Sequence, residues 1–170
     1  MVKKANSKEA PSTSEGQSPL SVNAQYIKDL SFENPSALSN ITSKEEAPSI
    51  SINIEAQATN LAERSFEVSL HIRAEATRKE KKIFLLELDY AGVFTIGKDV
   101  PEEYLRPILM IECPRLLFPF ARNIVGTITQ EGGCPALLLT PVDFADLYQR
   151  QVAQEQHAQK EKNKSDVVLQ

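Results

Sequence analysis

Polar and apolar positions alternate through the first ordered-looking stretch of the chain. Val22, Ala24, Tyr26, Leu30 and Phe32 point one way and Asn23, Gln25, Asp29, Ser31 and Glu33 the other, with Lys28 as the one interruption. A period of two is the spacing of a strand with one wet face. The pattern is cleaner in Ile50, Ile52, Ile54, Ala56 and Ala58, and again in Phe66, Val68, Leu70, Ile72, Ala74 and Ala76. A fourth run, Ile83 to Ile96, keeps Phe84, Leu86, Leu88 and Tyr90 on one face and adds Ile83 and Leu85 to the other. Strands that alternate in this way indicate an antiparallel sheet covered on one side. Hairpin-length links, Asn60 to Arg64 and Arg78 to Lys82, join the second, third and fourth strands. The first link, Asn34 to Ala47, is rich in Pro, Ser and Glu and too long for a hairpin. The first strand is therefore expected to cross over and pair with the fourth, giving a Greek-key-like order 1-4-3-2.

After Ile96 the period changes to that of a helix. Asp99 is placed to cap a first helix with Pro101, Glu102 and Glu103 in its first turn, and Pro107 should shorten or kink it. A second helix is expected from near Leu116, with its apolar stripe at Leu117, Phe120, Ala121, Ile124 and Ile128 and its stop at Gly132-Gly133. A third has Thr140 as its cap, Pro141 at the first position and Asp143 at the third, with Phe144, Leu147, Tyr148 and Val152 on one face. The fold class is α+β: a four-stranded antiparallel sheet with C-terminal helices packed on one face.

Length and composition fit one domain: 170 residues with 41% hydrophobic content can bury a core of their own. Residues 1–19 and 157–170 are too polar to offset their ordering entropy and are expected to be mobile tails around a domain at 20–156. No apolar run is long enough for a membrane span, and no secretory leader is recognisable, so a cytoplasmic protein without direct membrane insertion is expected. Sequon matches at Asn40-Ile41-Thr42 and Asn163-Lys164-Ser165 then carry no meaning, and Cys113 and Cys134 are expected to be free thiols. The net charge is −4; residues 1–19 contribute +1 and residues 151–170 contribute 0, which leaves −5 on the body. An acidic body has no basic stripe for phosphates, so the expected partner is cationic or apolar rather than nucleic acid.

Chemically capable side chains are few and scattered. His71 lies on the polar face of the third strand and His157 at the start of the tail, and neither has a carboxylate or cysteine at metal-ligand spacing. Both cysteines precede prolines without a CxxC motif, and Asp143 and Asp146 are accounted for by capping a helix start. Phosphate-cradle and hydrolase-elbow motifs are missing too. The reading is a non-enzyme without cofactor or metal. What is left over is apolar surface, in the two-sided fourth strand and in Leu116 and Val125 off the main stripe of the second helix. An oligomer interface or a groove for unfolded polypeptide would each use it, and the two are compatible.

The run from Glu112 to Tyr148, with CPRLLFPFAR, the Gly132-Gly133 break and LTPVDFADLY in order, resembles the SecB-type protein-export chaperones. The resemblance extends over roughly residues 23–152 and is strongest from Phe84 to Tyr148. It implies a homotetramer built as a dimer of dimers. It also implies an ATP-independent holdase for non-native precursor proteins that delivers them to the SecA motor. Matching the YIKDLSFE and FLLELDY segments implies a SecA-docking patch at Asp29, Glu33, Leu85 and Glu87, and a face tied to assembly and substrate handling at Leu86, Leu88 and Tyr90. The chain departs from some members in having no tryptophan in the crossover. A chaperone for a toxin-antitoxin pair, a small α+β ligand-binding enzyme and a pure scaffold are the alternatives; the sequence alone does not separate export clients from toxin-antitoxin clients.

Overall fold

The period-two blocks form strands β1 (Leu20–Glu33), β2 (Ser49–Ala62), β3 (Ser65–Arg78) and β4 (Lys81–Ile96), paired antiparallel in the order β1-β4-β3-β2. This is the order expected from the length of the first link. The computed structural model describes residues 18–35, 37–38 and 47–168, with residues 157–168 as backbone alone. The tail expected at 1–19 lies outside the described residues except for Ser18 and Pro19, as does the sequon at Asn40.

Strand β3 is the centre of the core. Val68, Leu70, Ile72, Ala74 and Ala76 on its even-numbered side have no exposed surface, while the odd-numbered residues between them stay half-exposed. On β4, Phe84, Leu86, Leu88 and Tyr90 are in register with Ala76, Ala74, Ile72 and Leu70, while Val68 faces Gly92 and Phe66 faces Phe94. This side of the sheet carries the helices, and each fully buried side chain of this size contributes roughly 1.5–3 kcal/mol.

Strand β1 departs from simple alternation. Its pairing with β4 slips between Val22 and Ala24 and again between Ile27 and Asp29, which makes Asn23 and Lys28 extra residues of two bulges. Each slip reverses the face taken by the residues that follow. Val22, Leu30 and Phe32 pair with Phe94, Leu88 and Leu86 on the helix side, whereas Ala24 and Tyr26 pair with Val93 and Ala91 on the outer side. The expectation that Ala24 and Tyr26 share a face with Val22 is thus corrected. The interruption at Lys28 is the second bulge.

Both hairpins close with two residues. The turn between β3 and β4 is Lys79-Glu80, with φ of 47° and 63°, and in the turn between β2 and β3 Arg64 has φ of 61°. Two consecutive positive values are the signature of a type I′ turn, whose twist suits a hairpin but whose conformation favours Asn and Gly.

The helical layer opens with α1 (Glu102–Pro107), passes through a π-helical turn (Ile108–Glu112) and continues as α2 (Cys113–Glu131). Pro107 ends the α-helix as expected, but the chain stays helical. Pro107 and Pro114 lack N–H donors, and the π-helical turn lies between them, closed by the Cys113 N–H donating to the carbonyl of Ile108. The second helix therefore begins at Cys113, not near Leu116. Asp99 does not cap α1: Pro101 takes the cap position without a side-chain hydrogen bond. The buried face of α2 is Cys113, Leu117, Phe118, Ala121, Val125 and Thr129, while Phe120 is 52% exposed. Phe120 thus leaves the expected stripe and Val125 joins it.

Beyond α2 an extended segment leads to α3 (Phe144–Val168), which continues through the residues expected to form the C-terminal tail. Its cap is Asp143 rather than Thr140. Asp143 Oδ1 accepts from the N–H groups of Ala145 at 3.0 Å and Asp146 at 3.2 Å. Thr129 holds the extended segment in place. Its buried hydroxyl donates to the carbonyls of Val125 and Gly126 and accepts the N–H of the partly buried Leu137 at 2.9 Å. Phe144 then packs edge-on against Phe118, with ring centroids 5.8 Å apart.

Candidate functional site

The outer side of the sheet carries no helix and is written in cross-strand rows. One row runs Asp29, Asp89, His71, Glu55 across all four strands, each residue in register with the next. The next runs Ser31, Glu87, Arg73, Asn53, and the one after it Glu33, Leu85, Glu75, Ser51. The second bulge in β1 brings Asp29 and Glu33 onto this face. Asp29, Glu33, Leu85 and Glu87, identified from the sequence as one patch, therefore stand together on adjacent strands.

Their charges are not equivalent. Asp29 and Glu33 are exposed and have no ion-pair partner among the described residues. Glu87 is bound by the Arg73 guanidinium, which also reaches Glu75 at 3.5 Å. Leu85 is only 8% exposed, an apolar floor between two glutamates. Sequence reasoning missed two participants. Asp89 faces Asp29, and His71 places Nδ1 2.7 Å from Asp89 Oδ1. The signal for both was available in the odd-numbered positions of β3 and β4 once the register is known. Farther along the face Glu67 accepts from Lys28 and Tyr26; the Lys28 ammonium, then the Tyr26 hydroxyl, hold its carboxyl below the ordinary range.

On the helix side, Leu86 and Leu88 are completely buried beneath the chain's own helices. Tyr90 is 7% exposed; its ring stacks on Phe120 at 6.4 Å and its hydroxyl is 3.3 Å from Gln25 Oε1. These three residues form the floor beneath the helical layer and not its outer surface, and β4 lies inside the sheet without a free edge. Exposed apolar surface lies elsewhere. Val22 and Ile27 on β1, Ile50 and Ile52 on β2, and Leu116 and Phe120 on α2 are each more than 40% exposed. The helices cover the two central strands and leave the helix-facing side chains of both edge strands partly open. Between β2 and the helices runs a groove, with a cavity of about 620 Å³ lined by Ala56, Phe66, Leu105, Leu109 and Met110 and an adjoining one of about 490 Å³ against α3.

The cysteines are poor nucleophiles in this setting. Burial pushes the Cys113 thiol up to about 12 and raises that of Cys134 as well, so both stay protonated at neutral pH. Among the described residues no three His, Cys, Asp or Glu side chains converge to hold a metal ion. No helix there is long and apolar enough to cross a membrane.

The family model for the preprotein translocase subunit SecB matches residues 13–155. This chain belongs to the SecB family. A relative named protein-export protein SecB, from Rhodospirillum centenum, is 52% identical over 134 residues, covering 79% of this chain and 80% of the relative. Another of that name, from Paramagnetospirillum magneticum, is 50% identical over 147 residues, covering 86% and 94%. Among solved structures, the SecB-like chaperone of Mycobacterium tuberculosis in complex with a ChAD peptide from the HigA1 antitoxin aligns with a TM-score of 0.61. It covers 73% of this chain and 91% of that one at 13% identity, which speaks for a shared fold. The family match thus spans the whole sheet, the helical layer and the start of α3.

Proposed function

We propose that this chain is a cytoplasmic, ATP-independent holdase for non-native precursor proteins and works as a homotetramer, a dimer of dimers. The observation that carries the reading is the open apolar surface on both edge strands. Each has a free backbone edge beside exposed isoleucine or valine side chains, and β2 borders a groove in which Phe66, Leu105, Leu109 and Met110 alternate with polar Gln57, Asn60, Glu102, Arg106 and Gln151. An extended chain can pair with such an edge and place alternate side chains on the apolar rows, whereas a folded protein has most of its backbone already paired and its apolar side chains buried. The same features serve assembly: exposed Leu116 and Phe120 on α2 supply apolar surface for a second copy. Leu86, Leu88 and Tyr90 act from beneath by holding α2 in position.

Delivery to SecA uses the other side of the sheet. Asp29, Glu33 and Glu87, with Leu85 as an apolar contact, offer a cationic segment of the motor a docking face on the opposite side from the client surface. Relatives near 50% identity are export proteins, whereas the antitoxin-bound neighbour shares 13% identity, which favours precursors as clients. The test is capture of reduced, unfolded precursors with and without signal sequences, and of their folded forms, in the presence and absence of ATP. Unfolded forms are expected to bind equally well with or without nucleotide and folded forms to fail. Equal capture of folded clients, or release on adding ATP, would contradict the mechanism.

A further inference from the structure

The row Asp29, Asp89, His71, Glu55 crosses the proposed docking face and contains the only imidazole of the sheet. A directly opposed pair in an antiparallel sheet has its Cβ atoms about 4.5–5.5 Å apart, so Asp29 and Asp89 hold two carboxylates close together on the outer surface. His71 is the immediate neighbour of that pair. Its Nδ1 lies 2.7 Å from Asp89 Oδ1, and both side chains are 35% exposed, open enough to exchange protons with water.

The surroundings of His71 come from every strand of the sheet. Asp89 and Glu87 face it from β4, Glu55 from β2, Arg73 two residues along its own strand, and Asp29 beyond Asp89 on β1, with Lys28 in the adjoining bulge. Arg73 is engaged with Glu87 and Glu75, and Lys28 with Glu67. Both fixed cations hold other carboxylates; the Lys28 ammonium also feels Asp89, but the imidazole is the cation-capable group in direct contact with it. Histidine is the side chain whose ordinary titration falls between pH 5 and 8.

We propose that His71 is a proton-controlled gate on the docking face, with Asp89 as an additional docking carboxylate. The proposal rests on the reading of this face as the site for a cationic segment. With the imidazole neutral, its Nδ1–H donates to Asp89, whose full negative charge remains beside that of Asp29. With the imidazole protonated, its positive charge pairs with Asp89 and subtracts one unit from the field met by an incoming lysine or arginine. Docking is therefore stronger beside the neutral imidazole than beside the protonated one. By linkage, a cation seated on the row must in turn favour the neutral imidazole and move its titration to lower pH. A single charge a few ångströms from an exposed contact, in water at low salt, changes affinity by roughly two- to fivefold.

The probe is an acetylated, amidated peptide of lysine, arginine and glycine, which has no group titrating between pH 5.5 and 8. Its Kd is measured calorimetrically with the full-length protein across that range at low salt. His71→Gln, His71→Lys and the pair Asp29→Lys with Glu33→Lys are compared with the wild type. Expected are weaker wild-type binding at pH 5.5 than at pH 8 by about two- to fivefold, a flat profile in His71→Gln and a flat, weak one in His71→Lys. The double reversal should abolish binding at every pH. The imidazole resonances of His71, followed by NMR and assigned by their loss in His71→Gln, should titrate at lower pH with peptide bound. His157 provides an internal control. If His71→Gln retains the wild-type pH profile while the double reversal abolishes binding, the gate is wrong and the docking face stands. If the double reversal binds like wild type, the docking face itself is wrong and the gate falls with it.

Discussion

Thr129 shows what one residue contributes here. It is the buried polar side chain of the core, and it serves three backbone groups at once: two carbonyls of its own helix and the N–H of Leu137. Thr129→Val keeps the shape and removes the acceptor, which leaves the Leu137 N–H unpaired beside apolar neighbours. A loss of about 1–3 kcal/mol is expected, read as a lower denaturant midpoint at fixed protein concentration. Thr129→Ser, which keeps the hydroxyl, should lose much less of the hydrogen bonding. Equal losses in both variants would show that the methyl group, not the hydroxyl, holds the segment. Sequence periodicity could not reveal this role, because a threonine on a helix face has the same pattern whether its hydroxyl meets water or a strand of backbone eight residues away. Gly132 is a second such case. A Cβ there would collide with the Phe32 ring, a contact set only when β1 and the end of α2 come together.

Among the elements, the hairpins were legible in position and hidden in geometry. Their lengths follow from where alternation stops, but Lys79-Glu80 gives no Asn-Gly signal for two positive φ values. Each such residue is held in a sparsely populated conformation by the pairing on both sides. Replacing Lys79-Glu80 with Asn-Gly should relieve that strain and stabilise the protein by roughly 0.5–1 kcal/mol. Thermal unfolding at one protein concentration measures it, and a lower Tm would mean that the lysine and glutamate side chains contribute more than the turn strain costs. The helices repeat the lesson. Pro107 reads as a break, yet the chain stays helical through the π-helical turn that follows it and keeps one helical layer from Glu102 to Glu131. The layer buries the apolar face of β3 and β4, and that burial offsets the lost hydrogen bonds.

For the molecule as a whole, the open apolar rows require an occupant. In the proposed tetramer the net charge is 4 × (−4) = −16, so association must overcome repulsion with apolar burial. Light scattering at micromolar concentration should give the mass of four chains. Phe120→Ser removes exposed apolar surface on α2 while leaving the fully buried side chains of that helix in place, so smaller species with an unchanged circular dichroism spectrum are expected. Monomeric wild-type protein would refute the assembly. Leu88 is unsuitable for the same test: it is wholly inside the subunit, and an aspartate there would bury an unpaired charge and unfold the chain before assembly could be judged.

By itself the sequence determined the strands, their antiparallel order and the presence of a helical layer, because a period of two and a period of 3.6 are local consequences of backbone geometry, and a long first link leaves β4 as the free neighbour. It also placed Asp29, Glu33, Leu85 and Glu87 on one face through their odd numbering. The agreement depended on the bulges in β1 occurring in a pair, since a single slip at Lys28 would have reversed the faces throughout the rest of the strand. Only the tertiary structure decided which apolar side chains are open. On the helix side Leu86 and Leu88 are covered while Ile50 and Ile52 are not, because coverage depends on where a finite helical layer ends over a wider sheet. It likewise decided that Arg73 occupies Glu87 and that His71 stands beside Asp89. Those pairings lie across strands, 14 and 18 residues apart in the chain, and their distances are fixed by register rather than by any local pattern.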